Sequence, residues 1–325
     1  MPTIAKLLWR NLTHSLNYVS SPLVTEELQT LAIASFRHLS LDDRLKRGIV
    51  ECGSMPGVLR CCQSENPDLQ LQCAGLLANL AENMENQVTL VEDGAVGAAV
   101  ALGGVLNDEV QQDIARCLAN LSSNEENHVP MYQQGALKRL IALTDSVEDV
   151  TQRYAAMGLR FLAANPENRV LIVQEGLLAP FLQLAQSPLL DYQRTAAAAF
   201  ASFSLNEENK MKMVREGALS QILACCRYDD LQVQRDSTFA LANLADSVEF
   251  QNDVVREGGV EVLVTVGLLR DARVQRDCAR AFATLSLPEH LKEVIIDKRS
   301  LPTLFSLARS LDVACQRYAT LSLCN

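Results

Sequence analysis

With 325 residues, 48% hydrophobic but only 5% aromatic, the chain is long for one compact core and favours closely packed helices over an aromatic-rich sandwich. A formal net charge of −10 argues against a general grip on phosphate backbones, so nucleic acid is not an expected partner. No apolar run approaches the roughly 18 residues of a membrane span, and no membrane insertion is expected. The ten cysteines form no CxxC, Cys61-Cys62 and Cys225-Cys226 are adjacent, and only four histidines are present. Reduced packing thiols in a cytoplasmic or nucleocytoplasmic chain fit this pattern better than a disulfide or metal framework, and neither metal nor other cofactor is expected.

In chain order, MPTIAKLLWRNL reads as an amphipathic first helix carrying Lys6, Arg10 and the sole tryptophan, Trp9. Met1-Pro2 offers no myristoylation glycine. From there a fixed period governs the chain. Gly53, Gly94, Gly135, Gly176, Gly217 and Gly258 are spaced 41 apart, and Arg299 takes the seventh place. Gln29, Gln70, Gln111, Gln152, Gln193, Gln234, Gln275 and Gln316 repeat at the same spacing of 41. Apolar residues recur at helical spacing after each glycine (LKRLIAL, LLAPFLQL) and after each glutamine (AMGLRFLA, STFALANLA), while a shorter apolar piece precedes the glycine. Each unit therefore predicts a short helix, a turn at glycine, a medium helix, a polar loop and a long helix. The turn calls for a positive φ, which glycine adopts without strain. Asp108, Asp149, Asp230, Asp271 and Asp312 stand where they can cap the long helix, with the glutamine inside its first turn.

Three residues after each glutamine come Ala32, Cys73, Ile114, Ala155, Ala196, Ser237, Cys278 and Ala319; six after come Ser35, Leu76, Cys117, Gly158, Ala199, Ala240, Ala281 and Ser322. These mostly small residues let neighbouring long helices approach, and since no unit buries its face alone, stability must come from stacking.

The period, the three-helix unit and the strings VQRDSTFALANL, NEENKMKMVREGAL and NPENRVLIVQEGLL resemble armadillo repeats, in the manner of β-catenin and vacuole-anchored armadillo adaptors. The resemblance implies an all-α, right-handed solenoid of about eight units: 1–40, 41–81, 82–122, 123–163, 164–204, 205–245, 246–286 and an incomplete 287–325. It further implies a concave groove lined by the long helices, where a protein or peptide partner lies extended. In such grooves an asparagine nine residues after the glutamine bonds the partner's backbone. That place is held here by His38, Asn79, Asn120, Phe161, Ser202, Asn243, Thr284 and Asn325. The importin-α tryptophan, four residues earlier, is missing: Ala34, Gly75, Arg116, Met157, Ala198, Phe239, Arg280 and Leu321 stand there. Only Phe239 beside Asn243 is similar, which disfavours a nuclear transport adaptor, and Arg116 and Arg280 would repel a basic ligand. The expected partner-binding residues are Asn79, Asn120, Phe161, Phe239, Asn243, Arg116 and Arg280, two gripping stretches flanking an apolar middle at Phe161 and Met157.

Arg153, Arg194, Arg235, Arg276 and Arg317 follow their glutamines directly. They either hold an acidic partner or, as the better reading, pair with acids of the preceding repeat such as Asp149, Asp230, Asp271 and Asp312. No catalytic constellation stands out, so the expectation is a non-catalytic scaffold; the alternative is the substrate-recognition array of a larger ubiquitin ligase or signalling protein. Leu321, Leu323 and Cys324, with no following repeat to cover them, lead us to expect a continuing chain or oligomerisation at that end.

Overall fold

The computed structural model describes residues 24–176 and 178–325, all helices and turns with no strand among them. The helix expected around Trp9 lies outside the described residues. Contacts cluster into two compact units, Met1–Asn168 and Arg169–Asn325, whereas the 41-residue period runs through both. In the first unit the long helices α1 (Glu26–Leu39), α2 (Pro67–Ala81), α3 (Asp108–Ser122) and α4 (Asp149–Ala164) pack each on the next. In the second unit α5 (Leu190–Phe203), α6 (Leu231–Asp246), α7 (Ala272–Leu285) and α8 (Val313–Cys324) do the same. From α2 onward a short and a medium helix precede each long helix, as with His128–Gln133 and Ala136–Leu143 before α4.

The expected turn is present throughout. All six glycines of the series take a φ between 75 and 96°, and Arg299 is forced into the same region at 59°. The glutamine series has a different use from the one its position suggested. Its side-chain amide reaches back six residues and donates to a carbonyl in the loop entering the long helix: Gln70 to Ser64 O at 2.9 Å, Gln111 to Val105 O at 3.0 Å, Gln234 to Tyr228 O at 2.7 Å. Each bond satisfies an acceptor the turn would otherwise strand. The caps are also partly corrected. Asp230, Asp271 and Asp312 accept from backbone N–H groups as expected, but Asp108 and Asp149 are the first helical residues; Asn107 caps α3 and the residue before Asp149, Glu148, makes no side-chain cap bond.

Small side chains do bring the long helices together: a Cβ on Gly158 of α4 would meet Ala119 Cα of α3 at 3.4 Å. Asn86, Asn127, Asn168 and Asn209, again 41 apart, tie successive short helices by donating to Lys46, Gln87, His128 and Arg169 carbonyls at 3.1–3.3 Å. The cysteines are free thiols, eight of them buried. Burial pushes Cys117 and Cys226 up to about 12, which keeps them protonated, inert packing groups.

Candidate partner-binding face of the long helices

On α3, Asp113, Arg116 and Asn120 fall at helical spacing and form one stripe. The corresponding stripe of α2 carries Gly75 and Asn79. Asn79 is 5% exposed and both ends of its amide are engaged: Nδ2 donates to Ser40 Oγ at 2.9 Å and Oδ1 accepts from Arg116 Nη2 at 3.1 Å. Ser40 in turn donates to Arg37 O at 2.7 Å. Arg116 is itself clamped, by Asp113 at 2.8 Å and by a short contact to Glu82. Burial alone would lower its pKa, but these two carboxylates outweigh burial and raise it.

The second unit repeats this cluster 164 residues, or four periods, later. Asn243, 6% exposed, donates to Ser204 Oγ at 2.9 Å and accepts from Arg280 Nη2 at 2.9 Å. Arg280 contacts Asp246 and lies 3.3 Å from Asp277. Its guanidinium also sits over the Phe239 ring, 5.5 Å from the centroid. Burial raises the pKa of both Asp246 and Asp277 despite that guanidinium. The repulsion expected of Arg116 and Arg280 toward a basic ligand is thereby cancelled, because each faces two carboxylates.

Asn120 differs from its counterparts, and the cause is local. Where Ser40 meets Asn79, the preceding repeat offers Asn120 only Ala81; where Arg116 meets Asn79, the next repeat offers Met157. The Asn120 side chain is half-buried and makes no hydrogen bond among the described residues. Phe161, also half-buried, lies under its own neighbour, with Arg160 Cζ 5.2 Å from the ring centroid. Thr284 folds back to Ala281 O at 3.0 Å, and Asn325 repeats the serine half of the arrangement with Ser286 Oγ at 3.0 Å. The structure thus joins Asn79 with Arg116, and Asn243 with Arg280 and Phe239, and leaves Asn120 and Phe161 outside both clusters.

A family comparison matches the Armadillo/beta-catenin-like repeat at residues 42–82 and 165–203. Among solved structures, an engineered protein is 27% identical, with a TM-score of 0.80 over 96% of this chain and 77% of its own. A designed armadillo repeat protein in complex with the peptide (KR)4 is 22% identical, with a TM-score of 0.64 over 72% of this chain and 100% of its own. Computationally designed armadillo repeat proteins for modular peptide recognition match at 23% identity and a TM-score of 0.66, over 71% of this chain and 99% of their own. The repeats at 42–82 and 165–203 are armadillo repeats, and the fold is that of the armadillo solenoids. No curated protein matches the chain.

The armadillo arginine series is structural in the second unit, in the opposite direction from the one expected. Arg194 pairs with Asp230 at 2.8 Å, Arg235 with Asp271 at 2.6 Å, and Arg276 with Asp312, so each arginine bonds the aspartate that caps the long helix of the following repeat rather than an acid of the preceding one. The arginine partner, first of all, holds each of these aspartates below its ordinary pKa.

No enzymatic family is indicated for these armadillo repeats. His128 and His290 hydrogen-bond Ser122 O and Asn252 Oδ1, each at 2.8 Å. Among the described residues no group of three or more His, Cys, Asp or Glu is placed to hold a metal, and no helix is long and apolar enough to cross a membrane. Asp113 and Asp277 stand out in the sequence as acids two residues after their glutamines, whereas sequence reasoning missed Ser40 and Glu82, and their counterparts Ser204 and Asp246. The signal that would have found them is their recurrence at four periods, visible also in Asn79 with Asn243 and Arg116 with Arg280.

Proposed function

We propose that the chain is a non-catalytic scaffold whose long helices hold an extended segment of a partner protein. The observation that carries this reading is Asn120: a donor and acceptor left open at the repeat position where Asn79 and Asn243 are pinned by neighbours. Its amide matches a peptide bond, and packed helices roughly 8–10 Å apart take about three extended residues each at ~3.3 Å per residue. Asn79 and Asn243 contribute through the acceptor capacity that remains on oxygens oriented by Arg116 and Arg280. Phe161 in the first unit and Phe239 in the second each supply a half-exposed ring for an apolar side chain. That a designed armadillo protein of this fold was solved with a (KR)4 peptide supports the general use. The free buried thiols fit a cytoplasmic or nucleocytoplasmic setting.

Comparative capture of partners by wild-type chain and by Asn120→Ala tests this. The Asn120 side chain makes no hydrogen bond among the described residues, so its replacement is expected to leave the fold intact. Loss of the partners recovered by wild type supports the reading, and undiminished recovery contradicts it.

A further inference from the structure

In the first unit Arg37 leaves α1, passes over α2 and reaches α3. Its Nη2 lies 3.3 Å from Asp113 Oδ2, and Nη1 lies 3.4 Å from both Leu71 O and Gln72 Oε1. The crossing depends on Gly75: a Cβ there would fall 2.1 Å from Arg37 Nε and 2.3 Å from Cζ. No side chain fits at position 75 while the guanidinium is in place. Yet the guanidinium is loosely held. Every one of its contacts is longer than those of Arg116 to Asn79 and Asp113, and its side chain is 31% exposed against 20% for Arg116.

The charge balance of this spot calls for one more cation than its fixed groups supply. Lys46 bonds Asp43 and Glu82, and Arg116 bonds Glu82 and Asp113, which sets two cations against three carboxylates. Arg37 makes the third cation. Four periods later the rest of the cluster recurs, but Ala201 replaces Arg37 and Phe239 replaces Gly75. Of these two clusters, the one with the arginine has the glycine and the one without it has the place filled, so here the open volume over Gly75 goes with the Arg37 guanidinium and not with the Asn79–Arg116 clamp.

From this we infer that the space bounded by Gly75, Leu71 O, Gln72 and Asp113 is a guanidinium-binding slot in which Arg37 acts as a built-in occupant, displaced by an arginine side chain of the bound partner. The inference rests on the reading of the long-helix face as a site for an extended segment, and it specifies that segment as arginine-bearing. Arg37 then competes with the partner, and the fraction of chains with an empty slot scales the apparent affinity.

The test uses the full chain and two fluorescent peptides, (Arg-Ser-Ser)4 and (Ala-Ser-Ser)4, followed by anisotropy. Arg37→Ala is expected to bind the arginine peptide about tenfold more tightly than wild type, as removal of a mostly seated competitor requires. The gain should vanish in the double variant Arg37→Ala/Asp113→Asn, should be absent with the alanine peptide, and should not appear in Arg44→Ala, which removes the same charge from an exposed helix end. Arg37→Gln serves if Arg37→Ala does not fold. Equal or weaker binding of the arginine peptide by Arg37→Ala and Arg37→Gln, or an equal gain in Arg44→Ala, overturns the inference. If in that case Asn120→Ala still weakens both peptides, the extended-segment reading stands without it; if no form binds either peptide, both fall.

Discussion

Replacing Arg116 or Arg280 by alanine should destabilise the chain, and unequally. Arg116 bonds Asn79, Asp113 and Glu82, with Asp113 11% and Glu82 38% exposed. Stripping one partner from a buried ion pair costs about 3–5 kcal/mol, an exposed pair about 0–1 kcal/mol, and an orphaned buried acceptor such as Asn79 Oδ1 about 1–2 kcal/mol. In Arg116→Ala both acids retain another cation: Asp113 keeps Arg37 at 3.3 Å and Glu82 keeps Lys46 at 2.6 Å. The carboxylates are therefore never bare, and the expected loss is about 2 kcal/mol. In Arg280→Ala the place of Arg37 is Ala201, so Asp277, 16% exposed, keeps no bonded cation among the described residues, and the expected loss is about 3 kcal/mol. Urea unfolding of both variants at pH 7, followed by circular dichroism, checks the values. Equal losses, the reverse order, or a loss below about 0.5 kcal/mol for Arg280→Ala would refute the reasoning.

Arg299 sits at φ 59° on an exposed turn, and Arg299→Gly should stabilise the second unit by about 1 kcal/mol in the same denaturation assay. The converse, Gly135→Ala at φ 83°, should cost about 1–2 kcal/mol although no atom lies closer than 4.0 Å to the added methyl, and a neutral result would mean the backbone is not held there. Removing the loop-closing amide in Gln234→Ala strands Tyr228 O and should cost about 1 kcal/mol, read as a lowered midpoint with unchanged slope. For pH, Asp230, Asp271 and Asp312 have folded-state pKa values lowered from 3.8, so their contribution is complete above the unfolded value and is lost as pH falls through the lower folded one. Asp246 and Asp277 are raised from 3.8, so their ionisation opposes folding at neutral pH and that cost is relieved as pH falls through the raised values. Urea midpoints should thus hold or rise as pH falls from neutral toward 3.8 and then drop below it, with the rise weakened in Asp277→Asn and the drop weakened in Asp271→Asn.

What could be read from the chain alone was whatever repeats within one unit. The glycine turn, the three helices and the small residues between long helices follow from the period of 41, because each has a cause inside its own repeat or the adjacent one at equal offset. The glutamine was visible but not its partner, since a reach of six residues back depends on how the loop folds. The asparagines show where the limit falls. Asn79 and Asn120 occupy the same place in consecutive repeats, yet one is closed by Ser40 and Arg116 and the other is open because Ala81 and Met157 stand there. That difference lies 37 to 39 residues away on either side and appears only when neighbouring helices are stacked. The arginine series likewise paired forward because the capping aspartate of the next long helix, not of its own, comes within reach.

Whether a partner segment lies along the long-helix stripe at Asn120 decides the proposed function. The most direct measurement places a photo-crosslinking residue at Met157, which holds toward Asn120 the repeat position that Arg116 holds toward Asn79, with a second chain bearing it at the exposed Arg44 as control. Crosslinking of the recovered partner from position 157, abolished by Asn120→Ala and absent from position 44, is the predicted result. A partner that crosslinks from position 44 and not from 157, or that crosslinks from 157 equally well in Asn120→Ala, would contradict it.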